Sequence, residues 1–254
     1  AYNFGKMLRE QLGVPVGLIS NPIGGSPTEA WISRKDLEEG YPEVLEDWFN
    51  NPMVNQWCVE MGKINLGYPE NNFANHPFAP ACLFETGVAT MEQFPIKGVI
   101  WYQGESNDFD IPMHEKLFRL LVKGWRSYWG NDEMPFHFVQ LSGLAERYMW
   151  PEFRDSQRKM ADAMPYCDMA VSSDVADSLD IHPRQKKPVG ERLARLALCH
   201  DYGFDMVPCG PSIRKAFLDG DKVVLEFDFA EGLKTSDSQE LRVFEVAGAD
   251  LGMS

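Results

Sequence analysis

The sequence predicts an α/β protein of three layers, a mostly parallel sheet with helices on both faces, followed by the start of a β-rich C-terminal element. Two patterns carry this. Short apolar runs alternate with stretches of helical spacing through the first two hundred residues, as expected for parallel strands joined by crossover helices. After residue 205 the apolar spacing changes to period two, the signature of a half-buried strand. The reading is one large domain over 1–205, with an insertion at about 32–90, and an appended, incomplete segment over 206–254.

The elements follow in order. Phe4, Met7, Leu8 and Leu12 repeat at helical steps, and "VPVGLIS" (14–20) then reads as a buried strand. Residues 32–90 are rich in Asn, Pro and acidic side chains. They predict a segment that caps or rims the sheet, with one helix near 43–50. A strand at 96–102 precedes a helix at 113–129, where Leu117, Leu121, Val122, Trp125 and Trp129 form an apolar stripe. Such a stripe is core far more often than a ligand cage. Strands at 136–141 and 167–173 alternate with helices at 152–164 and 188–199. Last, "KVVLEFDF" (222–229) places Val223, Leu225, Phe227 and Phe229 on one face, and "ELRVFEVAG" reads as a second strand.

The composition narrows the function. A chain of 254 residues that is 44% hydrophobic, with seven Trp, buries a sizeable core. Its formal net charge of -14 argues against nucleic acid or an anionic membrane surface as partner. No apolar run approaches the roughly 18 to 20 residues of a membrane span, so no membrane insertion is expected. The five cysteines (Cys58, Cys82, Cys167, Cys199, Cys209) form no CxxC pair, and no metal site or cofactor is expected from them.

In an open parallel sheet, ligands bind beyond the carboxyl ends of the strands. Three polar motifs follow predicted strands. "NPIGGSPTEAW" follows 14–20, "QGESND" follows 96–102, and "DVADSLDIHP" follows 167–173. His182, two residues after Asp180, has the company a general base needs, because a carboxylate fixes the imidazole tautomer and stabilises the imidazolium. An ordinary surface histidine would read the same way. Gly24 and Gly25 can present backbone N–H groups to an oxyanion, although most such pairs mark only a turn. Gln103 and Asn107 carry amide donors. Glu105 is read as an anchor that holds its loop by accepting backbone N–H groups. Ser106 lacks the second glycine of a nucleophile elbow, and Ser26 lacks the surroundings of an activated serine. The residues alone leave the nucleophile open.

The blocks "VPVGLISNPIGGSPTEAWIS", "FPIKGVIWYQGESN", "WPEFRDSQRKM" and "DIHPRQKKPVGERLARLAL" resemble the sialate O-acetylesterase family, a branch of the SGNH (GDSL-like) hydrolases with a flavodoxin-like sheet. The resemblance runs over essentially the whole chain. It implies a cofactor-free and metal-free serine esterase that removes acetyl groups from O-acetylated carbohydrate, foremost 9-O-acetylated sialic acid, in a periplasmic, secreted or lysosomal setting. An acetylxylan-type esterase and a non-catalytic sugar-binding member are the alternatives. The resemblance makes His182 the base, Gly25 the backbone oxyanion donor and Gln103 the side-chain donor, with Gly24 and Asn107 in support. Asp180 takes the acidic role, although the superfamily spacing is D-x-x-H and this sequence reads D-x-H; Asp177, Asp174 or a Ser–His dyad remain open. Arg184, Arg147 and Arg34 are candidates for a substrate carboxylate. The family's GQSN-type serine block is not in this sequence, so its nucleophile is expected upstream in a longer polypeptide or on a separate chain.

Overall fold

Side chains alternate along Phe136–Val139 and sort the helices onto two sides of a sheet. The computed structural model describes residues 1–67, 75–145, 147–176, 179, 180, 182, 184–240 and 244. Strands β1 (Val99–Trp101), β2 (Phe136–Val139) and β3 (Cys167–Ala170) pair in that order, all parallel. On one face, Phe136 and Phe138 pack against Phe118 with ring centroids 5.7 and 5.1 Å apart. Phe118 belongs to helix α4 (Ile111–Tyr128), whose buried stripe of Leu117, Phe118, Leu121, Val122 and Trp125 is the one the spacing predicts. Helix α5 (Trp150–Ala163) adds Met160 to the same core. The opposite face of β2 presents His137 to the end of helix α6 (Lys186–His200), and α1 (Tyr2–Leu12) packs on α6 through Leu8, Ala194, Ala197 and Leu198.

His137 is buried, with Nε2 2.8 Å from Asp201 Oδ2. Its Nδ1 lies 3.1 Å from Asp168 Oδ2 but without hydrogen-bond alignment, so that contact is an ion pair rather than a directional bond. His200 Nδ1 contacts the other Asp168 oxygen at 2.9 Å. Burial opposes a charged His137, and the two carboxylates outweigh it, holding its pKa up at about 9.

Arg126, buried near the end of α4, ties the starts of two strands together. Its Nε donates to Met134 O at 3.0 Å, and its Nη2 to Pro165 O at 2.9 Å and Tyr166 O at 3.1 Å. A planar guanidinium suits this, because its donors are fixed relative to one another.

The α/β reading holds, with two corrections. Residues 14–20 form no strand, and Val14, Leu18 and Ile19 are exposed. An extended run becomes a strand only when neighbouring backbone takes up its N–H and C=O groups, and among the described residues β1 pairs with β2 alone. Residues 43–50 hold only a 3-10 turn, Pro42–Leu45. The left-handed backbone of Asp47, at φ 32°, stops any longer helix there. The same region instead carries α2 (Arg34–Gly40), capped by Ser33, and α3 (Gln56–Leu66), capped by Asn55.

The chain divides into two compact units, Ala1–Pro208 and Cys209–Ser254. The second holds an antiparallel hairpin of β4 (Ser212–Asp219) and β5 (Lys222–Asp228), joined by Gly220 and Asp221. Gly220 sits at φ 63°, which a tight hairpin turn requires. The strand predicted in "ELRVFEVAG" falls almost wholly outside the described residues.

Candidate active site

The C-terminal ends of the three strands lead into the polar loops. Tyr102 Oη lies 3.4 Å from Ser142 Oγ, which lies 3.0 Å from Ser172 Oγ, so the exits of β1, β2 and β3 are linked by hydroxyls. After β1, Gly104 turns the chain at φ 147°. A Cβ there would sit 3.3 Å from the Phe153 ring as well, so both backbone and space call for glycine.

Gln103 and Asn107 meet the "GGSPTE" loop across more than seventy residues of sequence. Gln103 Nε2 donates to Ser26 O at 2.6 Å and lies 3.3 Å from Asn107 Oδ1. Asn107 Oδ1 accepts from the Thr28 N–H at 2.8 Å, and Asn107 Nδ2 donates to Glu29 Oε2 at 2.9 Å. The single hydroxyl proton of Thr28 has two acceptors at 3.0 Å, Gln103 Oε1 and Asn107 Oδ1. Next door, Ser106 Oγ donates to Gly25 O at 2.8 Å, and Asn55 Nδ2 donates to Ser106 O at 2.9 Å. The two loops are thus laced into one unit.

Gly25 is exposed at φ 73°, and a Cβ there would lie 2.8 Å from the Trp57 ring. Among the described residues its N–H has no acceptor, which leaves it able to meet an oxyanion. Gly24 has open space around it. Gln103 is more committed, since one Nε2 hydrogen is tied to Ser26 O. The other is held only by the long 3.3 Å contact and can be turned to a ligand.

His182 is exposed on the loop after β3, and its N–H donates to Asp180 Oδ1 at 2.8 Å. The same oxygen lies 3.7 Å from His182 Nδ1, an ion-pair distance. Glu105 lies within electrostatic reach of this histidine. Burial raises its carboxyl above the usual range, while the N–H groups of Glu105 and Gly104 and the charges of His182 and Arg147 pull it back. Asp174 is committed to Arg192 by two contacts of 2.6 Å; Asp177 lies outside the described residues. Arg147 bonds Glu105 O at 2.9 Å and Asp108 at 2.7 Å, and Arg34 pairs with Glu85 at 3.3 Å. Arg184 is exposed beside His182, with no ion pair among the described residues. The structure therefore groups Gly25, Gln103 and Asn107, sets Glu105 within electrostatic reach of His182, and places Arg147, Arg34 and Asp174 in structural pairs.

Residues 81–199 match the family profile of carbohydrate esterases described as sialic acid-specific acetylesterase. The sialate O-acetylesterase of Rattus norvegicus is 30% identical over 79% of this chain and 42% of its own length. The Mus musculus protein of that name is 28% identical over 96% of this chain and 50% of its own. A solved carbohydrate acetylesterase from Xanthomonas citri superposes with a TM-score of 0.76 at 31% identity, covering 100% of this chain and 53% of that one. The chain belongs to the sialate O-acetylesterase family. It spans about half the length of the curated relatives it matches.

The matched stretch holds Gln103, Glu105, Asn107 and His182, whereas Gly25 lies before it. Thr28, Glu29 and Asn55 join the site without having stood out in the sequence. Thr28 and Glu29 immediately precede the apolar Ala30–Ile32 and are fully buried with it. Among the described residues no cluster of His, Cys, Asp or Glu could hold a metal ion, and no helix is long and apolar enough to cross a membrane.

Proposed function

We propose that this chain carries the oxyanion-stabilising and general-base parts of a carbohydrate O-acetylesterase site. The observation that carries the reading is the lacing of Gln103 and Asn107 to the Gly25–Ser26 turn, with His182 exposed on the loop after β3. Neutral His182 takes the proton from a serine hydroxyl as its oxygen attacks the acetyl carbonyl. The negative oxygen that forms is met by the Gly25 N–H and the second Gln103 Nε2 hydrogen. The sugar oxygen then leaves with the proton from His182, and water, deprotonated by the same imidazole, releases acetate.

We place the nucleophile on a serine outside these residues, in the same polypeptide or on a separate chain. Supporting this, the Ser26 hydroxyl donates to Ile23 O and accepts from Trp31 Nε1, while that of Ser106 donates to Gly25 O. The favoured substrate is 9-O-acetylated sialic acid, and we assign its carboxylate to the exposed Arg184. The net charge of -14 favours a second reading, a neutral acetylated polysaccharide such as xylan. The test is acetate release by the full-length enzyme from both substrates and from p-nitrophenyl acetate. His182→Ala should lower turnover by roughly a hundredfold or more, and unchanged turnover would refute the assignment. Fluorophosphonate labelling of Ser26 or Ser106 would refute the external serine.

A further inference from the structure

Glu29 stands out among the buried groups that the proposed reaction leaves unused. Its side chain is fully buried; Oε2 accepts from Asn107 Nδ2 at 2.9 Å, and Oε1 has no hydrogen-bond partner. A carboxyl group is costly to bury in this state, yet it is one bond away from the network that holds Gln103.

The chemistry of the donors fixes the direction of that network. The Thr28 N–H can only donate, so the Asn107 atom 2.8 Å from it must be the amide oxygen. Asn107 Nδ2 must then face Glu29. An ionised carboxylate accepts and cannot donate, so it tolerates the amide in this orientation alone. Turned over, Asn107 would set an NH2 group against both the Thr28 N–H and Gln103 Nε2, and its oxygen against a carboxylate. Once protonated, Glu29 can donate, and its share of the prohibition lapses, leaving the Thr28 N–H and Gln103 Nε2 to oppose the turn unaided. We infer that Glu29 is a positioning residue for the esterase site: its carboxylate holds the Asn107 amide in one orientation, and Asn107 with Thr28 in turn aims the Gln103 side chain. This rests on the reading of Gln103 as an oxyanion donor.

The surroundings leave Glu29 as the group that titrates near neutrality. Burial raises its carboxyl to about 7, against the lowering effects of its own backbone N–H and of Asn107. From α3, Cys58 is pushed by burial to about 12, with the nearby Glu29 charge adding to the rise. From α4, His114, 3.4 Å from Thr28 Oγ1, is pushed by burial down to about 3 and stays neutral. On the neighbouring π-helical turn Phe84–Val88, Glu85 is held in a surface pair with Arg34. Unprotonated Glu29 should therefore predominate above pH 7, and the orienting effect should fade below it.

The experiment compares full-length wild type with Glu29→Gln across pH 5.5 to 8.5 on p-nitrophenyl acetate and an acetylated sugar. Glutamine fills the same space but presents either a donor or an acceptor to Asn107. The expected result is a roughly tenfold lower kcat at pH 8 with KM within twofold. The deficit should shrink toward pH 6 with a midpoint near 7. A deficit that is constant with pH, or none, would overturn the inference, since a merely structural carboxyl would give no such midpoint. Carbon-13 NMR of glutamate carboxyls covers the cases in which Glu29→Gln does not fold or the wild type releases no acetate. A wild-type resonance titrating near neutrality should move to higher pH in Asn107→Ser, and an unmoved titration would overturn the coupling. Absence of acetate release with the NMR coupling intact would sink the esterase reading and leave the positioning of Asn107 standing.

Discussion

Replacing Gly25 by alanine tests the proposed oxyanion role of this turn from two directions. The backbone sits at φ 73°, where a residue with a Cβ costs roughly 1 to 2 kcal/mol. The added carbon would lie 2.8 and 2.9 Å from two Trp57 ring atoms. Ordinary carbon contacts begin near ~3.5 Å, so the indole must retreat by about 0.7 Å. Trp57 is 49% exposed and can give way, but its backbone N–H is tied to the Asn55 cap at 2.9 Å and its ring leans on Phe78 at 5.5 Å. A total of about 2 kcal/mol corresponds to a fall in Tm of roughly 4 to 8 °C for a protein of this size. Thermal unfolding followed by circular dichroism reads it. In a Trp57→Ala background the steric part vanishes, and Gly25→Ala should cost about 1 kcal/mol, the backbone share alone. The displaced N–H should also lower kcat by roughly a hundredfold or more. A Tm within 1 °C of wild type, or an undiminished cost in the Trp57→Ala background, would refute the geometry.

Other outcomes follow from the same structure. Because the folded pKa of His137 is raised to about 9 from an ordinary value of 6.5, its contribution to stability is complete below about pH 6.5 and is lost as pH rises through 9. Urea midpoints should fall over that window, and His137→Gln should flatten the fall; an equal slope in the variant would contradict the ion-pair account. Phe118→Ala, which empties a space between Phe136 and Phe138, should cost about 3 to 5 kcal/mol in urea unfolding. Cys58 and Cys167, whose thiols burial pushes to about 12 and about 11, should resist iodoacetamide at pH 8 until the protein is unfolded. Asn55→Ala removes the α3 cap and the bond to Ser106 O together, and a loss of about 1 kcal/mol or more is expected from the cap alone.

The sequence was most readable where periodicity was long. The apolar stripe of α4 recurs over about three turns and reads as a buried helix face, and the strands read at 96–102, 136–141 and 167–173 appear, shorter, as 99–101, 136–139 and 167–170. It was least readable in residues 32–90, because α2 and α3 are set by single capping side chains, Ser33 and Asn55, more than by amphipathic repeats. The strand expected at 14–20 failed for a related reason: an apolar extended run states a preference, and hydrogen bonding to a neighbour decides whether it is met. Strand β4 was missed because "SIRKAFLD" is polar on much of its surface and is exposed along nearly its whole length. In the site, Gln103, Asn107 and His182 were visible as polar residues at strand exits. Thr28 and Glu29 were not, because their importance lies in partners some seventy-five residues away.

The Arg126 fork has a consequence for the opposite end of the sheet. By gripping carbonyls just before β2 and β3, it sets a common starting line for those two strands. Each strand advances about 3.3 Å per residue, so the distance from that line to the polar loops is counted out by strand length. Gln140 to Ser142 and Val171 to Ser173 therefore emerge at matched heights, where Ser172 Oγ donates to Gln140 O at 2.8 Å. A lysine at 126 would keep the charge but hold fewer carbonyls in a looser geometry, and the two strands would then be free to slip relative to each other. Errors made at the foot of the sheet would reappear at its rim, where the Ser142 and Ser172 hydroxyls must meet.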